Sequence, residues 1–327
     1  MKKLLVVCGP TATGKTSLAI ALAKKFNGEV ISADSRQVYK GMNIGTGKDL
    51  PKNSKLEIKN SKLGGSYKVD GVSIRGYDIA DPKKGFSVGQ YIKIARTIIG
   101  NIWARGRLPI LVGGTGLYIK GVVNGIPTAH IRPNIKLRKS LANNTKEELF
   151  ETLATIDPLK AASLNSSDRQ NPRRLIRAIE VGLQSKQKTV SMNRFMDTGS
   201  DVLFIGLAAP KGRLFERIGE RVDERIRAGI EKEIKTLLAS GVKWGSRAMD
   251  SLGYRQWEEY FKKPGEISKE EVITAWKAEE HKYAKRQMTW FKKDKRIEWF
   301  DISRPGFKKS VENLVQKWYS NGDVKKN

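Results

Sequence analysis

Cysteine is almost missing from this sequence. Among 327 residues only Cys8 carries a thiol, and only His130 and His281 carry imidazoles. One thiol excludes a disulfide framework and a cysteine-rich zinc site. Two isolated histidines offer neither a metal cluster nor a Ser-His-Asp arrangement for hydrolysis. Long apolar runs are missing too. The first apolar run meets Gly9-Pro10 too early for a secretory signal, and no stretch has the roughly 20 apolar residues of a membrane helix. A cytoplasmic, monomeric protein without membrane association is expected. Acidic residues are outnumbered: 34 Asp and Glu stand against 62 Lys and Arg, for a formal charge of +28. Such an excess points to a polyanionic partner, nucleic acid first, although a solubilising surface charge is the plainer reading.

What is present is organised by one stretch. Gly9-Pro10-Thr11-Ala12-Thr13-Gly14-Lys15-Thr16 fits G-x-x-x-x-G-K-[ST] at every fixed position. Residues 3–8 before it read as a buried parallel strand, and residues 17–26 after it as an apolar-striped helix of strong helix formers. Strand, glycine-rich turn and helix form the context in which this motif binds phosphate. Gly9 and Gly14 let the backbone curl so that N–H groups converge, and the helix N-terminus adds its positive end. Lys15 supplies a mobile charge and Thr16 a hydroxyl suited to Mg2+. A phosphorylated ligand is expected here.

Further strands are expected at 29–33, 73–79, 108–112, 201–207 and 297–300. Helices are expected at 87–105, from Leu117, and at 211–227, 269–293 and 311–318. The alternation predicts an α/β fold: a P-loop NTPase-like core with a mainly parallel sheet flanked by helices. Ligands of such sheets bind beyond the carboxyl ends of the strands, where Asp34 and Thr115 both emerge. Each also has a helix-capping role open to it. Gly113 stands where a Walker-type ATPase usually has an aspartate for Mg2+, which weakens the ATPase reading. Residues 41–73 are irregular, with a surface excursion over 52–73 read as a short hairpin, and the tail 323–327 is expected to fray.

Between 133 and 198 no strand-like run occurs, and helices are expected at 135–143, 146–156 and 172–184. The chain therefore divides into a core of residues 1–130 and 200–327 and an inserted all-helical subdomain of residues 131–199. Arg173, Arg174 and Arg177 crowd one side of the third helix, with Leu175, Ile179 and Leu183 assigned to its core side. That pattern suits an RNA or DNA cradle, or an ordinary solvated face. Arg213, Arg217, Arg221 and Arg225 recur every four residues, a stripe for phosphate or for the nearby Glu216, Glu220 and Glu224. Over 282–293 basic residues interleave with Tyr283, Trp290 and Phe291, a mixture that can grip a backbone and stack bases. Trp290 and Phe291 are expected as core anchors.

Taken together, these stretches resemble the tRNA dimethylallyltransferases (isopentenylpyrophosphate transferases). The resemblance rests on the phosphate loop and on Ile31-Ser32-Ala33-Asp34-Ser35-Arg36-Gln37-Val38-Tyr39-Lys40-Gly41-Met42 with Ile44-Gly45-Thr46. It continues through Leu111-Val112-Gly113-Gly114-Thr115-Gly116-Leu117-Tyr118, Pro172-Arg173-Arg174-Leu175, Gly253-Tyr254-Arg255-Gln256 and Ala284-Lys285-Arg286-Gln287-Met288-Thr289-Trp290. Asn43 and Gly47 replace the family's usual Asp and Ala. The resemblance implies transfer of a dimethylallyl group from dimethylallyl diphosphate to the exocyclic amine of the adenosine just 3′ of the anticodon. The residues Gly9 to Thr16, with Arg221 and Arg217, would then hold diphosphate, with Mg2+ at Thr16. Asp34, Thr115 and Lys15 would be catalytic. Asp34, Ser35, Arg36, Gln37, Thr115, Lys136, Arg173, Arg174, Arg177, Arg255, Lys285 and Arg286 would meet the tRNA anticodon stem-loop. The competing reading is a P-loop ATPase or kinase acting on nucleic acid. A non-enzymatic RNA-binding protein leaves the phosphate loop and Asp34 unexplained.

Overall fold

Alternation along the first strand decides the two faces of the sheet. In β1 (Lys2–Cys8), Leu4, Val6 and Cys8 join one hydrophobic cluster while Leu5 and Val7 join another, all fully buried. A parallel strand covered on both faces requires that pattern. The computed structural model describes residues 2–48, 50, 56–57, 65–185 and 200–321. The tail 323–327, much of the 52–73 excursion and the end of the insertion, 186–199, lie outside the described residues.

From β1 the chain runs through α1 (Lys15–Lys25) to β2 (Gly28–Ser32), then to β3 (Leu56–Glu57), β4 (Ser66–Val69) and β5 (Val72–Arg75). After α2 (Val88–Ala104), β6 (Leu108–Gly113) returns beside β1 and leads into α3 (Gly116–Val123). The sheet order is β3-β4-β5-β2-β6-β1, completed by β7 (Ser200–Ala208) and β8 (Ile297–Asp301). From β5 to β8 neighbours pair in parallel; β3 and β4 pair antiparallel at the β5 edge. The α/β fold with a mainly parallel sheet is therefore as expected. The strand expected over 73–79 ends at Arg75. Gly76 follows at φ +89°, and a Cβ there would meet the Ser32 carbonyl at 2.9 Å.

Helix α2 buries Tyr91, Ile92, Ala95, Ile98, Ile99 and Ile102 on the stripe the sequence marks, and Ser87 with Gln90 closes its first turn as a capping box. The chain separates into two compact units, Met1–Asn124 with Phe195–Asn327, and Gly125–Arg194. The second is helical among its described residues: a 3-10 turn at Pro127–His130, then α4 (Ile135–Ser140), α5 (Lys146–Ile156), α6 (Pro158–Ala162), α7 (Ser166–Arg169) and α8 (Pro172–Ser185). Its own core includes Leu149, Leu153, Leu164, Leu175 and Ile179. Leu183, expected on the core side, is instead 44% exposed; it is Gly182 that packs against Ile156 at the end of α5. The first unit continues with α9 (Lys211–Arg227), α10 (Ile230–Ala239), α11 (Glu258–Lys262), α12 (Lys269–Phe291) and α13 (Phe307–Ser320).

Each unit buries a glutamate that several groups, arginines chief among them, surround. Glu180 accepts bonds from Arg138 (2.7 Å), Arg177 and the Asn134 N–H. Glu29 takes Arg105 (2.7 Å), Arg107 (3.2 Å) and Arg75 (3.3 Å). Burial pushes both carboxyls up, but the arginine bonds and charges outweigh it and hold both below the usual range. A carboxyl lowered on folding stabilises fully above its unfolded value of about 4.3, and the contribution fades as pH falls through the folded value. The unfolding free-energy gap between the wild type and Glu29→Gln or Glu180→Gln should thus be widest above about pH 5 and shrink toward pH 2. Urea titrations at each pH measure it, and a constant gap would exclude the linkage.

Candidate active site

Three strand ends meet at one edge of the sheet. Ala33, just past β2, donates its N–H to the Val112 carbonyl (2.7 Å) and accepts from the Thr115 N–H (3.2 Å). The contact is so close that a Cβ at Gly113 would lie 2.2 Å from the Ala33 carbonyl oxygen. No acid can stand there without parting β2 from β6. Thr115 then turns its hydroxyl toward β2: Oγ1 accepts the Ser35 N–H (3.0 Å), and the side chain does not cap α3. Asp34 receives the Arg36 N–H (2.8 Å) and the Gln37 N–H (3.4 Å), both on Oδ1, which leaves Oδ2 for a ligand. Asp34 thus fixes its own turn and still offers a carboxylate oxygen at the edge.

The phosphate loop lies beside this pair. Gly9 has φ +132°, and a Cβ on it would strike the Leu207 carbonyl at 2.3 Å; Ala12 and Gly14 are also left-handed, at +61° and +79°. The loop's carbonyls are occupied: Pro10 accepts from Thr13 Oγ1 (2.9 Å) and from Lys15 Nζ, and Ala12 from Arg217 Nε (2.7 Å). A backbone whose carbonyls are engaged in this way offers its N–H groups to an anion. Arg221, one turn beyond Arg217 on α9, reaches Thr11 Oγ1 (3.2 Å) and the Gly47 carbonyl (2.9 Å). The four-residue spacing therefore delivers two of the stripe's arginines to the loop. The other two differ: Arg213 pairs with Glu216 at the surface, and Arg225 is buried on Glu280 (2.8 Å).

Loop, Asp34 and Arg221 line one cavity of about 270 Å³, with six cationic and three anionic side chains among its walls. Lys15, Thr16, Ser35, Arg36, Gln37, Arg255 and Arg286 are all in that lining. Gln37 also binds the Gly47 carbonyl (2.9 Å) and takes the Ser32 hydroxyl (3.0 Å). Arg36 reaches the Arg247 carbonyl (2.9 Å), and Arg255 pairs with Glu279 (2.9 Å). Lys285 is not in the lining; its Nζ lies 5.6 Å over the Phe215 ring. Lys136, Arg173, Arg174 and Arg177 belong to the helical unit. Lys136 and Arg173 are exposed, Arg174 is exposed and paired with Asp168, and Arg177 turns inward to Glu180 and the Thr128 and Ile131 carbonyls.

Several residues complete the site although the sequence assigns them no role. Gln287, 5% exposed on α12, accepts the Thr11 N–H and donates to the Gly114 carbonyl, both at 2.9 Å, so it ties the phosphate loop to the Thr115 turn. Tyr283, one turn earlier, is hydrogen-bonded with Thr115; burial, then the Asp34 charge, raise its phenol well above the ordinary range, against the lowering from that bond. Glu233 on α10 collects the N–H groups of Asn43, Ile44 and Gly45 and the Tyr254 hydroxyl, and so fixes the loop whose Gly47 receives Arg221. In the sequence Gln287 falls within the Ala284–Trp290 stretch of the resemblance and Tyr283 one helical turn before that glutamine; Glu233 has no such mark.

Among the described residues no group of three or more His, Cys, Asp or Glu side chains could hold a metal ion. The Thr16 hydroxyl in the cavity wall instead fits Mg2+ that is bound chiefly through a ligand's phosphate oxygens. A Cβ at Gly47, which has φ +61°, would lie 2.4 Å from Arg225 Nη2 and 2.7 Å from Arg221 Nη2. Arg221→Ala should therefore weaken binding of inorganic pyrophosphate by about tenfold or more, the worth of a charge-assisted bond, and Gly47→Ala should weaken it by displacing the same guanidinium. Isothermal titration measures both; unaltered affinity in the pair would take Arg221 off the anion.

The sequence matches the IPP transferase family over residues 37–294 and the isopentenyl transferase family over residues 2–61. It is similar to the tRNA dimethylallyltransferase of Thermomicrobium roseum, 37% identical with 99% of this chain and 94% of that protein covered. The tRNA dimethylallyltransferase of Carboxydothermus hydrogenoformans is 38% identical, with 96% of each covered. Among solved structures, the tRNA isopentenylpyrophosphate transferase of Bacillus halodurans superposes with a TM-score of 0.70 at 33% identity, over 100% of both chains. A eukaryotic dimethylallyltransferase acting on tRNA shares the fold, with a TM-score of 0.77 at 24% identity over 98% of this chain and 80% of that one. The chain that builds this phosphate loop, Asp34–Thr115 edge and arginine pair belongs to the IPP transferase family, among the tRNA dimethylallyltransferases.

Proposed function

We propose that this chain transfers the dimethylallyl group of dimethylallyl diphosphate to the exocyclic amine of the adenosine 3′ of the anticodon in tRNA, with release of diphosphate. One observation carries the proposal: a single cavity holds a phosphate loop crossed by Arg221 and, on the adjoining strand end, the Asp34 carboxylate. An ATPase or kinase would want a second acid after β6, where the Ala33 carbonyl leaves no room for a side chain.

In the reaction the amine nitrogen forms a bond to the allylic carbon while the bond from that carbon to the diphosphate oxygen breaks. Negative charge grows on the leaving group, where Lys15, the loop N–H groups and Arg221 stabilise it in place. Mg2+ held by the diphosphate oxygens and the Thr16 hydroxyl would supply further neutralisation of that group. The amine proton passes to Asp34 as the new bond forms, with Thr115 and the neutral Tyr283 phenol orienting the amine. The target adenine leaves its stack to enter the cavity. Arg36, Arg255 and Arg286 at the cavity, with Lys136, Arg173 and Arg174 of the helical unit, take the phosphates of the anticodon stem-loop. The protein acts as a monomer in the cytoplasm; among the described residues no helix is long and apolar enough to cross a membrane.

The direct test incubates the protein and Mg2+ with labelled dimethylallyl diphosphate and tRNA, with AMP and ATP as control acceptors. Label should move to tRNA alone, and transfer to AMP or phosphate release from ATP would replace the proposal. Asp34→Ala should lower the single-turnover rate by about 10²–10⁴ while tRNA binding is retained, and an active variant would remove the base role. Replacing Arg173 and Arg174 together with alanine should weaken tRNA binding and flatten its dependence on salt. An unchanged slope of log K against log salt would take both off the RNA.

A further inference from the structure

Trp290 does not sit where an apolar ring is expected. Its neighbour Phe291 is buried at 3%, yet Trp290 is 43% exposed, a large aromatic surface left to water. It is also held in place. A Cβ at Gly116 would come within 2.0 Å of Trp290 Cδ1 and Nε1, so the indole rests on the bare backbone of the first turn of α3. Gly116 follows Thr115, whose hydroxyl binds Ser35 beside Asp34. Along α12, Glu280, Tyr283, Arg286 and Gln287 line the cavity, and Trp290 is the next residue on that face, three beyond Gln287. Leu117, 42% exposed, adds apolar surface from α3.

The charge around the ring is mainly positive, and the acid that follows it, Asp294, is already paired with Arg296 (2.6 Å). Arg286 stands one turn before Trp290, Lys293 three residues after it, and Lys120 one turn beyond Leu117, all exposed. A protein segment docking on an apolar ring would not call for that frame of cations, whereas a nucleobase carries its phosphates with it. A ring already pinned by a glycine contact also loses little freedom when a base stacks on it. We infer that Trp290 is a stacking platform for a base of the anticodon loop that flanks the adenosine entering the cavity. The inference rests on the tRNA reading given above and adds to it the element that holds the neighbouring nucleotide once the target is drawn out of the stack.

The test uses the full chain and a stem-loop RNA with 2-aminopurine placed next to the target adenosine. Stacking on Trp290 quenches the probe. Trp290→Phe should keep most of the quench, whereas Trp290→Ala should lose it and bind the RNA about tenfold more weakly. Affinity for inorganic pyrophosphate should be untouched in both. Should Trp290→Ala lose pyrophosphate binding through misfolding, Trp290→Leu replaces it, keeping bulk without a π-face. Full quench and wild-type RNA affinity in the alanine or leucine variant would overturn the platform, as would a phenylalanine variant no better than leucine. Wild-type protein that quenches the probe but transfers no dimethylallyl group would leave the platform standing and sink the activity reading instead.

Discussion

The approach of β2 to β6 at their carboxyl ends is the constraint on which the site depends. Gly113 lies against the Ala33 carbonyl, so the two strands close without a side chain between them. That closeness lets the Thr115 N–H reach Ala33 and the Thr115 hydroxyl reach Ser35, and it sets the Asp34 carboxylate beside the phosphate loop. The same contact removes the place an ATPase acid would occupy. One steric fact thus leaves no room for a side chain at the end of β6 and brings the Asp34 and Thr115 turns together.

Around that edge the anion cradle is completed by helices that come late in the chain. Arg217 and Arg221 hold the loop from α9, and Gln287 holds it from α12 while also gripping the Thr115 turn. Where such bonds are sheltered from water they are stronger and their loss is costly, because each would leave a loop carbonyl, N–H or hydroxyl without that partner. The phosphate loop and the Thr115 turn are therefore coupled through one glutamine side chain.

Much of this was legible in the sequence, for reasons that are themselves physical. The parallel strands announce themselves because both their faces are buried, as in Leu4 to Cys8. The phosphate loop carries its own signature, and the arginine stripe follows from helical geometry, since residues four apart share a face. Side chains whose role depends on which way a long helix is turned were not legible. Tyr283 and Gln287 lie in a basic, aromatic-rich run that reads equally well in several rotations, and Trp290 was expected inside because tryptophan usually is. The glycines of Gly113-Gly114-Thr115-Gly116 register in the sequence as a missing acid. In the structure they are three close contacts, to Ala33, Gln287 and Trp290.

Glu233 gives the site an unusual dependence. It lies outside the catalytic cavity, yet its single carboxylate gathers three successive N–H groups of the 43–45 loop and the buried Tyr254 hydroxyl. That loop carries the carbonyl that steadies Arg221. The guanidinium over the phosphate loop is therefore steadied through an acid that does not line the cavity. By position Glu233 is scaffold, whereas by its bonds it belongs to the support of the active site. Remote acids of this kind set the tolerance of a fold to drift, because the surface around them can change freely only while they stay.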